Sequence, residues 1–389
     1  MKKIKDIIKY ALALLIRAFW KISGIFLPIK KNLIVFDSFV GKQYSCNPRA
    51  IYEYLCKNAD SDTEFVWAFR EPDKFRFLEK KPNTKIVKYH SFIHQYYFYR
   101  AGTIVFNWKK TYDLPTRKGQ LIIQTWHGGG CYKKAGNEIK ENSRLHTAIM
   151  QKETNTATHY ISSSKYFSEN VIRKQQGFKG KIISTGMPRN DVLVVQDRAK
   201  AGKIRKNLGI PADSFVIMYA PTYRDSIIDQ NFDSLDFQEV SEAVKKRFGK
   251  EVIFIYRGHH YNTSSSSAEN VIDMTDYFDM QDLLLISDML ISDYSSSIWD
   301  YSFTYRPCFL YTPDLEKYIE GRGLDEDIYT WGFPVSLSND ELKKQILEFD
   351  GKSHIKNMKK HHDKLGSFEK GTASERIGRF IIKRMRRKK

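Results

Sequence analysis

The chain is poor in cysteine. Its four cysteines, Cys46, Cys56, Cys131 and Cys308, lie far apart and form no C-x-x-C pair. That excludes a disulfide scaffold and a zinc ribbon, and it points to a reducing compartment. No repeat of fixed period is present, and Ser264–Ser267, which reads as a loop, is the one low-complexity tract. With 41% hydrophobic and 28% charged residues, neither a disordered chain nor a polytopic membrane protein fits. A length of 389 residues is room for two domains or slightly more, at roughly 150 residues each.

Acidic residues are scarce at both ends. Residues 1–31 carry a net +7 and residues 376–389 a net +8, so only +4 of the total +19 falls on the 344 residues between them. A nucleic-acid binder spreads its positive charge over a folded face. Basic ends beside apolar residues suit an anionic membrane surface instead, and no nucleic-acid partner is expected. Within Ile7–Trp20 the longest uncharged stretch, Tyr10–Ile16, is far too short for the ~20 residues of a spanning helix. At 100° per residue, Lys2, Lys5, Asp6, Lys9, Arg17 and Lys21 fall within about 160°, leaving a Leu/Ile/Phe/Trp face opposite. No A-x-A-like site follows, which argues against a cleaved signal peptide. The segment reads either as a surface helix packed on the body or as an in-plane membrane anchor.

Short β-rich runs alternate with longer helical stretches. Strands are expected at Asn32–Asp37, Glu64–Phe69, Lys85–Tyr89, Thr103–Asn107, Leu121–Thr125, His159–Ser162 and Lys181–Ser184. A second set is expected at Phe215–Tyr219, Val252–Tyr256, Val271–Met274, Met289–Ser292 and Cys308–Tyr311. Most are continuous apolar runs, as in strands covered on both faces of a parallel sheet. The alternation argues for an α/β architecture. Gly209-Ile210-Pro211 breaks a charged helical stretch before a fresh strand. The expected divisions are a basic segment 1–31, a Rossmann-like domain 32–205, a second one 206–375 and a basic tail 376–389.

Five strand ends carry polar constellations, where open parallel sheets present ligand-binding groups. The first is Trp126-His127-Gly128-Gly129-Gly130 with Lys133 and Lys134. The glycines let backbone N–H groups approach an anion, and an imidazole can accept a proton at neutral pH. The same residues equally suit a tight turn with a structurally bonded histidine. The second, Met187-Pro188-Arg189-Asn190-Asp191, offers an arginine for a phosphate or for Asp191. The third, Ala220-Pro221-Thr222-Tyr223-Arg224-Asp225, has a hydroxyl and a guanidinium suited to a diphosphate, or a salt bridge between Arg224 and Asp225. The fourth is Arg257-Gly258-His259-His260. The fifth is Ser292-Asp293-Tyr294-Ser295-Ser296-Ser297, leading into Trp299-Asp300-Tyr301. Its serines sit at a helix start, where unpaired N–H groups suit either a phosphate or a simple cap. His90 and His94 at i, i+4 lack a third ligand and read as a core or cleft-lining helix.

Taken together and in this order, the five motifs resemble the CDP-glycerol glycerophosphotransferase family over roughly residues 33–330. Arg306-Pro307-Cys308-Phe309, Asp314-Leu315-Glu316-Lys317-Tyr318 and Arg322-Gly323 continue the pattern, and Asn47-Pro48-Arg49-Ala50-Ile51-Tyr52 looks like the N-terminal domain of shorter members. The resemblance implies a GT-B architecture and transfer of glycerol phosphate from CDP-glycerol to a hydroxyl, with CMP released. It implies His127 as base and His259 beside the diphosphate as the catalytic pair. The implied substrate-binding residues are Gly128, Gly129, Lys133, Arg189, Asn190, Asp191, Thr222, Arg224, Arg257, Asp293, Ser295, Ser296, Ser297 and Arg322. No obligatory metal or other cofactor is implied, because fixed cations and helix dipoles can stabilise the charge.

The implied acceptor is an undecaprenyl-diphosphate-linked saccharide or growing teichoic-acid or capsule-type polymer at the cytoplasmic face of the membrane. CDP-ribitol or another CDP-alditol is the alternative donor. A GT-B nucleotide-sugar glycosyltransferase and a non-catalytic membrane-surface protein are the other readings. One departure stands out: the family's Gly-Thr-Pro is Gly128-Gly129-Gly130 here.

Overall fold

A computed structural model describes residues 16, 18–108, 116–134, 151–222, 235–258 and 270–387. The proposed amphipathic segment falls largely on residues 1–15, outside the described part; residues 18–23 are helical.

Among the described residues, thirteen strands form two sheets, parallel throughout. The first contains β1 (Lys30–Asp37), β2 (Glu64–Phe69), β3 (Thr84–Lys88), β4 (Ala101–Phe106), β5 (Leu121–Gln124), β6 (His159–Ser162) and β7 (Lys181–Ser184). Their spatial order is β3-β2-β1-β4-β5-β6-β7. The second contains β8 (Phe215–Ala220), β9 (Val252–Tyr256), β10 (Val271–Asp273), β11 (Met289–Ser292), β12 (Cys308–Tyr311) and β13 (Val335–Ser336), in the order β10-β9-β8-β11-β12-β13. The expected doubly wound α/β architecture is therefore present. The apolar runs have the expected cause: Ile34, Val35 and Phe36 of β1, and all six residues of β8, are buried. Each sheet reverses its winding once, between β1 and β4 and between β8 and β11. Such switch points open a crevice at the carboxyl ends of the strands.

Two segments pack across the expected divisions. Leu193 and Ile204 belong to the core around the second sheet, although both precede residue 206. The segment set apart as a basic tail is a helix, Ala373–Arg386, which returns to the first domain. Its Ile377, Ile381 and Ile382 join the core of the first sheet. The helix lies against the helix Cys46–Asn58, and Gly378 permits the approach, because a Cβ there would collide with the Tyr54 ring.

Further links tie the halves together. Lys133 pairs with Leu324 and Ser164 with Ser367 in antiparallel bridges. Asp325 N–H donates to the Tyr132 carbonyl at 3.1 Å, and Phe368 N–H to the Ser163 carbonyl at 2.8 Å.

Candidate active site

β5 delivers His127 to the crevice beside the first switch point. Trp126 just before it has φ of +56°, a region a bulky side chain enters only when its surroundings hold it there. The Gln124 side chain accepts the Trp126 N–H at 2.9 Å. His127 Nδ1 lies 3.1 Å from the Asn107 carbonyl at the end of β4. A carbonyl only accepts, so Nδ1 carries the proton and Nε2 keeps its lone pair. Trp108 and Trp126 flank the imidazole, with centroids 4.1 and 4.3 Å away. Burial pushes the pKa of His127 down to about 3; the Asn107 bond opposes this, and the charges of Arg189 and Lys133 add to it. The ring is therefore neutral at neutral pH.

The glycine loop is where the first and fifth motifs meet. A Cβ on Gly128 would lie 2.7 Å from Ser296 Oγ, and one on Gly129 would lie 2.6 Å from the Trp299 indole. Here the two domains touch through bare backbone. Across the contact, Ser295 Oγ accepts the Ser297 N–H at 3.3 Å. Ser297 Oγ and Trp299 Nε1 are buried without a partner among the described residues.

The second switch point lies beside this contact. Asp293, at the end of β11, accepts from Thr222 N–H at 2.8 Å and from its hydroxyl at 2.5 Å. It also accepts the Tyr294 N–H at 2.6 Å. Asp293 thus shapes the loop after β8. At the end of β9, Arg257 Nη1 is buried with no partner among the described residues. Burial works against its charge, opposed by Asp279 and Tyr277. Such orphaned donors have a cost unless an anion completes them. Among the described residues, no three His, Cys, Asp or Glu side chains come together as a metal-ligand group. Arg224, His259 and His260 lie outside the described residues.

Comparisons with known proteins identify the family. The sequence profile of the family described as CDP-glycerol:poly(glycerophosphate) glycerophosphotransferase matches residues 21–383. The chain belongs to that family. It is 31% identical to a teichoic acid poly(glycerol phosphate) polymerase of Bacillus spizizenii over 392 residues, covering 96% of this chain and 98% of the relative. It is 32% identical to a teichoic acid glycerol-phosphate transferase of Staphylococcus aureus, covering 91% of this chain and 93% of the relative. The solved structure of the wall teichoic acid polymerase TagF superposes with a TM-score of 0.83 at 29% identity, covering 99% of this chain and 97% of that one. The fold is therefore GT-B-like, and the protein is an enzyme that transfers glycerol phosphate from CDP-glycerol.

In this glycerophosphotransferase, several expected substrate contacts have other work. Arg189 Nη2 bonds Asp300 at 2.5 Å and its Nη1 bonds the His127 carbonyl at 2.5 Å. Burial disfavours the guanidinium charge more than any single neighbour favours it, but Asp300, Cys46 and Glu369 together outweigh burial and keep it. Asn190 is fully buried and donates to Asp300 at 2.9 Å. Asp191 accepts the N–H groups of Ala373 and Ser374 at 2.8 and 2.7 Å, capping the returning helix. All three, expected at the substrate, thus hold bonds within the protein: Arg189 and Asn190 reach across to Asp300, and Asp191 secures the returning helix. Lys133 and Arg322 border the interdomain bridge at Leu324, and Arg322 is exposed. Asn47, Asn107, Trp108 and Asp300 were not singled out from the sequence as site residues. Their polarity next to apolar runs is the signal they offered, and it names no partner.

Proposed function

We propose that His127 Nε2 takes the proton from an acceptor hydroxyl as that oxygen attacks the β-phosphorus of CDP-glycerol. The phosphorus–oxygen bond to CMP breaks, CMP leaves with the bridging oxygen, and the product gains one glycerol phosphate. One observation carries this: a neutral imidazole with its Nδ1 proton committed to Asn107 stands beside the interdomain contact at Gly128 and Ser296. The donor diphosphate is held by Arg257 and Ser295–Ser297; an anion would satisfy Arg257 Nη1 and Ser297 Oγ, which are buried without a partner among the described residues. His259 and Arg224 join them by family resemblance. Bound phosphate negative charge raises the basicity of a nearby imidazole, bringing His127 toward the range a general base needs. A His-to-Asn variant of TagF was solved after a CDPG soak, consistent with donor binding that survives loss of a histidine.

The test is CMP release from CDP-glycerol with and without a lipid-linked saccharide, plus mass analysis of the product. Acceptor-dependent CMP with a gain of glycerol phosphate supports the assignment. CMP release with CDP-ribitol alone would reassign the donor. A product that lacks the donor's phosphate would mean glycosyl transfer.

A lipid-borne acceptor also needs a route to the membrane. Phe19, Ile22, Ile25 and Phe26 are 51–80% exposed, and exposed Phe92 and Ile93 lie beside them. Trp20 is the buried anchor, bonded to Gln95 at 2.7 Å. Arg117 grips the carbonyls of Gly24 and Leu27, and Arg384 grips that of Gly119 just before β5. Arg379, Lys383, Arg386 and Arg387 line a groove at the same end of the sheet. This apolar and basic end docks on an anionic bilayer at the cytoplasmic face, as a peripheral protein. No helix among the described residues is long and apolar enough to cross a membrane. Vesicle flotation checks it: Phe26→Ser with Ile25→Ser should weaken binding, and unchanged binding would end the assignment.

A further inference from the structure

We propose that Asn47 and Arg189 are positioning residues for His127, forming a clamp that aims the base and ties it to the donor side of the cleft. The inference rests on His127 being the base. Three consecutive carbonyls, those of Thr125, Trp126 and His127, are held by these two side chains. Asn47 Nδ2 donates to the Thr125 carbonyl at 3.1 Å and to that of Trp126 at 3.0 Å. Its Oδ1 accepts the Arg189 N–H at 3.0 Å. Arg189 Nη1 then takes the His127 carbonyl at 2.5 Å. Asn47 is fully buried and Arg189 nearly so. The clamp therefore acts out of water, where such bonds are strongest and leaving one unmade is most costly.

The clamp has a specific task, because the held segment is strained at Trp126. A backbone in that region relaxes unless its neighbours over-determine it. Relaxation would rotate the next residue and take Nδ1 of His127 away from the Asn107 carbonyl. The far end of the clamp is equally firm. Arg189 Nη2 binds Asp300, which also accepts from Asn190 at 2.9 Å and from Gln281 at 3.1 Å. Asp300 lies in the helix Ser297–Ser302, whose first residue carries the free Ser297 hydroxyl. The chain Asn47, Arg189, Asp300 thus fixes the base relative to the phosphate-binding side. It reaches the reaction only through the main chain.

Asn47→Asp keeps the acceptor and the shape but turns oxygens toward two carbonyls. We expect kcat to fall about 10- to 100-fold, with KM and the Kd for CDP-glycerol within about twofold of wild type, since a misplacement near 1 Å has that effect. Asn47→Ala serves as the second variant if Asn47→Asp does not fold. The deciding measurement is a double-mutant cycle with His127→Ala. A residue that works through His127 adds little further loss once the imidazole is gone. Additive losses, a kcat change under threefold in the single variant, or a fall in CDP-glycerol affinity matching the fall in kcat would each overturn the clamp. High activity of His127→Ala alone would instead overturn the base assignment beneath it.

Discussion

The two switch points are built alike and finished differently. At the first, around His127, the surrounding polar groups are engaged within the protein: Asn107 takes Nδ1, and Asn47 and Arg189 take three carbonyls. At the second, Arg257 Nη1 and Ser297 Oγ are buried with no partner among the described residues. On the proposed assignment, the acceptor side is set before substrate arrives, whereas the donor side is completed by it. A group that must change protonation needs a fixed geometry, while a site for a diphosphate gains by holding donors that only the anion satisfies.

The comparison breaks most sharply at the base. His127→Ala should lower kcat by about 10²- to 10⁴-fold while leaving CDP-glycerol affinity nearly intact; steady-state kinetics and calorimetry on the same preparation check it. On the donor side, Arg257→Met should do the reverse, raising KM about 10-fold or more for loss of one charge-assisted contact. It should also raise the melting temperature, because an incompletely bonded buried cation is gone. A lower melting temperature would show that Arg257 is already satisfied and would erase the contrast.

The shared border is tested by Gly129→Thr, which restores the family residue against the Trp299 indole. Overpacking of this kind costs about 1–3 kcal/mol. Adding Trp299→Phe should recover part of it, read from urea unfolding.

The smallest effect is on pH. Burial raises Glu369 to about 8, opposed by the Met187 N–H bonds and joined by the charge of Asp300. The folded state therefore holds a proton that the unfolded chain releases at ordinary carboxyl values. Stability should decline as pH rises from about 5 to 8, and Glu369→Gln should flatten that decline. His127 acts oppositely. Its folded pKa is depressed, so it contributes stability above about 6.5 that is lost as pH falls toward 3.

The architecture was legible because strands covered on both faces must be apolar throughout. The runs at β1, β8 and β11 announce themselves for that reason. β13 was missed, since Val335–Ser336 is too short to show any pattern. His127 and Ser295–Ser297 were legible by position, at strand ends beside glycine or ahead of a helix. Arg189 offered a guanidinium for a phosphate or for Asp191, but its bond to Asp300 gave no local signal, because the two are 111 residues apart. The bond from Thr222 to Asp293 was hidden likewise by a separation of 71 residues. Sequence spacing shows which groups are available, and only the folded chain shows which are already taken.

The returning helix Ala373–Arg386 sets an order of events during synthesis. The first sheet is translated early, yet Ile377, Ile381 and Ile382 reach its core only after the whole second domain has been made. Domains ordinarily fold as units, N-terminal first. Here the first must wait with a face open beside Ile51, Tyr52 and Leu55, exposed to chaperones and to neighbouring nascent chains. The helix Ala373–Arg386 is the closing stitch, and its emergence after the second domain becomes the step that commits both halves at once.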